Sequence, residues 1–69
     1  MIIVRLRHIL NSKGITQSEL AKATGIRPST ICDLYNNNAS FLKLDNLYKI
    51  CNFLNCKVEE LLEIKMNNF

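Results

Sequence analysis

The sequence predicts a mainly α domain of five short helices, with a short extended segment at each end. Three observations carry this reading. Two Gly and one Pro in 69 residues are too few turn formers for a many-turned β-sandwich. Apolar residues recur mostly at the i, i+3, i+4 spacing of a helix face rather than in alternation. A full helix-start signature, Thr16-Gln17-Ser18-Glu19, also precedes an apolar run. An apolar fraction of 48% against 22% charge excludes a disordered or low-complexity chain. A chain of this length forms one domain, expected over residues 1–69, and hides about 60% of the surface its unfolded form exposes. A large enclosed pocket is therefore not expected.

The elements follow in order. Ile2, Ile3 and Val4 are β-branched and too few for a helix, so they predict a strand or extended arm. Leu6, Ile9 and Leu10 share one helical face over Leu6 to Ser12, and Gly14 supplies the left-handed residue that stops it. The Thr16 hydroxyl can accept from the Glu19 backbone N–H while the Glu19 carboxylate returns to the Thr16 N–H. The helix this starts runs to about Ala23 and ends at Gly25. Pro28 suits the first turn of a third helix, where its missing N–H costs nothing. That helix turns Ile31 and Leu34 inward and ends near Tyr35, before the polar run Asn36-Asn37-Asn38. A fourth helix spans Leu44 to Leu54 with Leu44, Leu47, Ile50, Cys51 and Leu54 on one face, and Asn55 can take the left-handed conformation at its end. A fifth covers Val58 to Leu61 or Leu62, and the alternating tail Leu62 to Met66 reads as a strand. Tyr35 and Phe41 are expected to pack, and Phe53 and Phe69 to serve as satellite core or dimer contact.

Charge is unevenly spread. Residues 1–35 carry five Lys or Arg and two Asp or Glu, a net +3; residues 36–69 carry four of each, a net of zero. The basic half suits a polyanionic partner, with solvated surface charge as the plain alternative. No stretch approaches 18 apolar residues, and the first residues lack a basic leader and a long apolar core, so neither a membrane span nor a signal peptide is expected. Cys32, Cys51 and Cys56 are odd in number, include no Cys-x-x-Cys pair and accompany a single His, His8. A reducing compartment is expected, with no disulfide scaffold, no metal site and no cofactor. Cys51 reads as a small core residue, and His8 as an exposed side chain without a role. No nucleophile–His–acid set and no Gly-rich phosphate loop is present, so an enzyme is not expected.

The most informative stretch is Gln17 to Tyr35. Ala21 is small enough for two short helices to cross closely, Gly25 redirects the chain, and Ile26, Ile31 and Leu34 face Leu20. This is a helix-turn-helix pattern. The string Thr16-Gln17-x-x-Leu20-Ala21-x-x-x-Gly25-Ile26-x-x-x-x-Ile31-x-x-Leu34-Tyr35-Asn36 resembles the Cro/repressor (XRE-type) helix-turn-helix family, over about nine tenths of the chain. The resemblance implies a five-helix repressor-like DNA-binding domain. It is closest to small members that open on an apolar arm and close on a Leu-Leu-Glu-like strand, the two ends pairing as a small sheet.

The same resemblance implies a sequence-specific transcriptional regulator. It would bind double-stranded DNA as a homodimer on an inverted-repeat operator, with the third helix in the major groove, in the cytoplasm of a bacterium or encoded by a phage. Base reading then falls to Pro28, Ser29, Thr30 and Asp33. Phosphate contact falls to Thr16, Gln17, Arg27, Asn36, Asn37, Asn38 and Lys43. Two departures stand out. Family members often carry Gly after the recognition helix, where Asn37 or Asn38 must serve here. The helix also lacks bidentate Gln or Arg readers, so specificity is expected to be modest or to lean on DNA shape. Asp33 has a second reading, as a charge supporting the first turn of its helix. The alternative function is an antitoxin or adaptor that grips a protein partner through the same fold. Such a helix would carry large apolar residues at 28, 29, 30 and 33, where this one is small and polar.

Overall fold

In the computed structural model, which describes residues 1–66, the elements run β1 (Ile2–Val4), α1 (Leu6–Lys13), α2 (Gln17–Thr24), α3 (Pro28–Tyr35), α4 (Leu44–Leu54), α5 (Val58–Leu61) and β2 (Leu62–Ile64). This is the mainly helical architecture the periodicity predicts. β1 and β2 pair antiparallel, Ile2 opposite Ile64 and Val4 opposite Leu62. Arg5 N–H donates to the Leu61 carbonyl at 2.7 Å, and Lys65 N–H to the Met1 carbonyl at 2.8 Å.

One core joins all five helices. Leu6, Ile9 and Leu10 of α1, Leu20 and Ala21 of α2, Ile26 of the turn, Ile31 and Leu34 of α3, Ile50 and Leu54 of α4 and Leu61 of α5 are all buried. The spacing is i, i+3 or i+4 within each helix, so each presents one apolar stripe to the others. Among the described residues no polar or charged side chain is buried. Burying one without a partner would cost about 1–3 kcal/mol, and this core avoids that cost.

Three of the helix ends follow one rule. α1 stops at Gly14 (φ 67), with Ile15 N–H bonded to the Leu10 carbonyl and Gly14 N–H to that of Asn11. α4 stops the same way at Asn55 (φ 51), with Cys56 N–H on the Cys51 carbonyl. α3 stops at Asn37 (φ 59), with Asn38 N–H on the Asp33 carbonyl at 2.8 Å and Asn37 N–H on that of Leu34 at 3.3 Å. Each is the paired 6→1 and 5→2 closure that satisfies orphan carbonyls. It needs a residue tolerant of positive φ, which Gly and Asn are. Asn37 is thus the residue that replaces the expected glycine.

Asn37 also does what glycine cannot. Its Oδ1 accepts from Val4 N–H at 2.7 Å, and its Nδ2 donates to the Val4 carbonyl at 3.0 Å. The carboxamide behaves as a rung added to β1, tying the end of α3 to the sheet.

Four expectations are corrected. Leu44 is 81% exposed rather than buried. It lies in the first turn of α4, at the rim of the stripe whose centre is Ile50 and Leu54. Phe41 does not pack; it stands out from the loop before α4 at 77% exposure. Cys51 is half-buried against the core rather than within it. The closing strand ends at Ile64, short of Met66. Tyr35 packs as expected, Phe53 is exposed, and Phe69 lies outside the described residues.

Two outcomes follow from these ends. Asn37→Gly keeps the backbone conformation but loses both bonds to Val4, and urea unfolding should show it less stable by about 1 kcal/mol. Asn37→Ala adds backbone strain and should lose about 2 kcal/mol. Equal midpoints for the wild type and Asn37→Gly would refute a stabilising role for the bridge. At the end of α4, burial pushes the Cys56 thiol up to about 11, with Cys51 beside it adding to the shift. The folded state therefore holds this proton more tightly than the unfolded one. Its stabilising contribution is whole below pH about 9 and declines as pH rises towards about 11. Alkylation at mildly alkaline pH, followed by peptide mapping, should label exposed Cys32 well before Cys56.

Candidate nucleic-acid interface

The surface of interest begins at the start of α2. Thr16 Oγ1 accepts from Glu19 N–H at 3.1 Å, and Glu19 Oε1 accepts from Thr16 N–H at 3.2 Å. The predicted capping box is closed, and it fixes the direction in which α2 leaves the loop. Gln17 is the first residue of that helix and is half-buried. At the other end Gly25 (φ 73) turns the chain, its N–H on the Ala21 carbonyl at 2.9 Å. Thr24 Oγ1 donates to the Leu20 carbonyl at 2.7 Å and accepts from Ile26 N–H at 3.3 Å, which stiffens the turn.

α3 then starts at Pro28 with Arg27 as its N-cap and no side-chain cap. Ile31 and Leu34 are buried. Pro28, Ser29, Cys32 and Asp33 are exposed and Thr30 is half-buried. An open polar groove of about 560 Å³ runs beside the helix, between it and the loop to α4. It brings together Arg27, Thr30, Asp33, Asn38 and Lys43, five of the residues singled out in the sequence, and adds Asn46. Among the described residues the one ion pair is Lys49–Asp45 at 3.0 Å, on α4. Arg27, Asp33 and Lys43 thus share a groove without forming an ion pair.

The remaining candidates lie elsewhere. Pro28 and Ser29 are exposed at the first turn of α3, and Thr16 and Gln17 belong to the start of α2, all four outside the lining of the groove. Asn37 faces β1 through its two bonds to Val4. Asn36 Nδ2 donates to the Cys32 carbonyl at 3.0 Å, and its Oδ1 accepts from Arg7 Nη2 at 2.9 Å. The Arg7 guanidinium sits over the Tyr35 ring, 4.8 Å from its centroid, a cation–π contact.

Arg7, which the sequence suggests is either a solvated charge or a phosphate contact, instead has a structural role. It brings a cation from α1 to the C-terminal end of α3, where the helix dipole favours positive charge. Its helix position gives no sign of this, because the contact depends on how α1 crosses α3.

Asp33 needs one correction. It lies six residues into an eight-residue helix whose first turn holds no acidic side chain, so it cannot support that turn. It stands instead near the negative end of the dipole, which disfavours a carboxylate. Among the described residues no three His, Cys, Asp or Glu side chains gather in a way that could hold a metal ion. No helix among them is long and apolar enough to cross a membrane.

Comparison with known proteins agrees with this geometry. The family model of the Cro/C1-type HTH DNA-binding domain matches residues 5–66. Seven chains of solved structure also match. One of them, described as "a putative DNA-binding protein from Bacteroides fragilis", is 28% identical, covers 91% of this chain and 100% of its own, and superposes with a TM-score of 0.81. No curated protein matches significantly.

Proposed function

Because the chain belongs to the Cro/C1-type helix-turn-helix DNA-binding family, we propose that this DNA-binding regulator acts as a homodimer on an inverted-repeat operator. Each copy, a single domain, would lay α3 in the major groove of one half-site. Double-stranded DNA is its partner. The observation that carries the reading is the exposed side of α3. Two buried residues hold the helix, and its outer side presents Pro28, Ser29, Thr30 and Asp33, with Arg27 and Lys43 in the open groove alongside.

In this reading Pro28, Ser29, Thr30 and Asp33 meet base edges. Arg27, Asn38 and Lys43 meet phosphate on the loop side, while Thr16 and Gln17 meet it at the start of α2. The Thr16 oxygen caps the helix by accepting, so its O–H remains free to donate to a phosphate. Asn36 and Asn37 act indirectly: their amides are bonded within the fold, and they position the end of α3. The reading assigns no catalytic role to any residue.

Salt dependence tests the electrostatic half of this proposal. With Arg27 and Lys43 each neutralising one phosphate per copy, the log–log slope of affinity against salt for a dimer approaches about −4. Arg27→Ala should shallow it by about 2 and weaken binding to all sequences alike. Affinity indifferent to salt would count against DNA contact by this surface.

Asp33 tests the specific half. A carboxylate near phosphates is repelled, and here the helix dipole also opposes it, so retaining it needs a compensating interaction. The cytosine N4 amino group in the major groove is a suitable donor. Sites selected from a random duplex pool by the wild type and by Asp33→Ala, at one salt concentration, should differ at one base pair per half-site. Discrimination there should fall by about 1–3 kcal/mol. Unchanged sites with tighter binding to every duplex would mean that the carboxylate only repels.

A further inference from the structure

The face opposite the polar side of the loop before α4 carries an apolar strip that the DNA reading does not use. Ile2 and Ile64 lie opposite each other on one side of the two-stranded sheet. Val58 stands at one end of the strip, and Phe41 and Leu44 at the other. The five side chains are between 48% and 81% exposed. A hollow of about 300 Å³ lies within the strip, floored by Val4, Leu34 and Leu62 and rimmed by Phe41 and Leu44; no charged side chain lines it. A second hollow, shared by Ile2, Val58, Leu62 and Ile64, continues it and ends at Glu59.

We infer that this strip is where a second copy of the chain docks, the two copies overlaid with opposite ends together, so that Phe41 and Leu44 of each meet Val58 and Ile64 of the other. The inference rests on the homodimer reading above and assigns it a surface. Three features favour a second copy. A two-fold interface must be self-complementary, and this face offers projecting side chains and an apolar hollow together. Two copies carrying +3 each can approach closely where the surface between them is uncharged, as the lining of this hollow is.

Area is the third feature. Large side chains of roughly 150–200 Å² each, exposed to this degree, present about 600 Å² of apolar surface. That is at the upper limit for a typical monomer's largest patch, and a polar rim brings it near the roughly 800 Å² per partner of a standard interface. The strip is also continuous with the DNA surface. Ala39, Ser40, Phe41 and Leu42 line both the apolar hollow and the polar groove beside α3. One side of this loop faces the second copy, the other faces the operator, and pairing therefore sets the spacing of the two recognition helices.

Sedimentation of the full chain, free and on duplexes with one or two half-sites, tests this. The wild type should bind the two-half-site duplex as a pair. Leu44→Glu and Ile64→Lys should each weaken pairing by about tenfold or more and leave single-half-site affinity unchanged. An equimolar mixture of the two variants should pair again, because one contact becomes an opposite-charge pair and the other stays as in the wild type. Both positions are exposed, and an acidic residue suits the first turn of α4. Unfolding midpoints at low concentration should therefore match the wild type, which excludes misfolding as the cause. Variants that pair as the wild type does would overturn this surface and leave the homodimer reading standing. A mixture that fails to pair would overturn the opposed-end arrangement. A wild type that binds as one chain to both duplexes would overturn both.

Discussion

Helix α3 is held to the body of the protein chiefly by two buried side chains, Ile31 and Leu34, and the rest of the surface depends on that attachment. Eight residues form α3, too few for a helix to persist alone in water. Its shape is borrowed from the core it docks on. Ala21 lets α2 approach closely, Leu20 fills the space beside it, and Gly25 sets the angle between the two helices. With Ile31 and Leu34 committed inward, Ser29, Thr30 and Asp33 are free to be chosen for what they meet outside. Small, polar side chains can therefore cover this helix without loss of stability.

The far end of α3 is secured differently. Asn37 accepts the left-handed conformation that closes the helix, and its carboxamide bridges to Val4. Arg7 approaches from α1, stacked on Tyr35 and bonded to Asn36. Both ends of the helix are thus fixed by neighbours in other elements: α2 and its turn at the start, β1 and α1 at the finish.

Much of this fold was legible in the sequence because local rules set it. The capping box, the left-handed residues at Gly14, Gly25 and Asn55, and the inward stripes of each helix depend on residues within a turn or two of one another. The family resemblance added the pairing of the chain ends. What was not legible depends on three-dimensional placement. Leu44 has the right spacing for the buried stripe of α4, yet the core does not extend to that turn. Phe41 has an apolar side chain, but its loop faces outward. The groove lined by Arg27, Thr30, Asp33, Asn38 and Lys43 could be anticipated residue by residue. The diversion of Asn36 and Asn37 to internal bonds could not, because their partners lie about thirty positions away, at Arg7 and Val4.

The pairing of β1 with β2 has a consequence for the order of assembly. It joins backbone at Met1 to backbone at Lys65, 64 positions apart, while the helices form from contacts within a few residues. Closing so long a loop has the largest entropic cost in the fold, and the three-residue strands return little until the helices between them have condensed. The sheet is therefore the last piece to zip and the first to part. The Val4–Asn37 bridge depends on β1 being in place, so a chain whose helices are already formed still lacks a settled loop after α3. Folding in this protein therefore ends at the loop that closes α3.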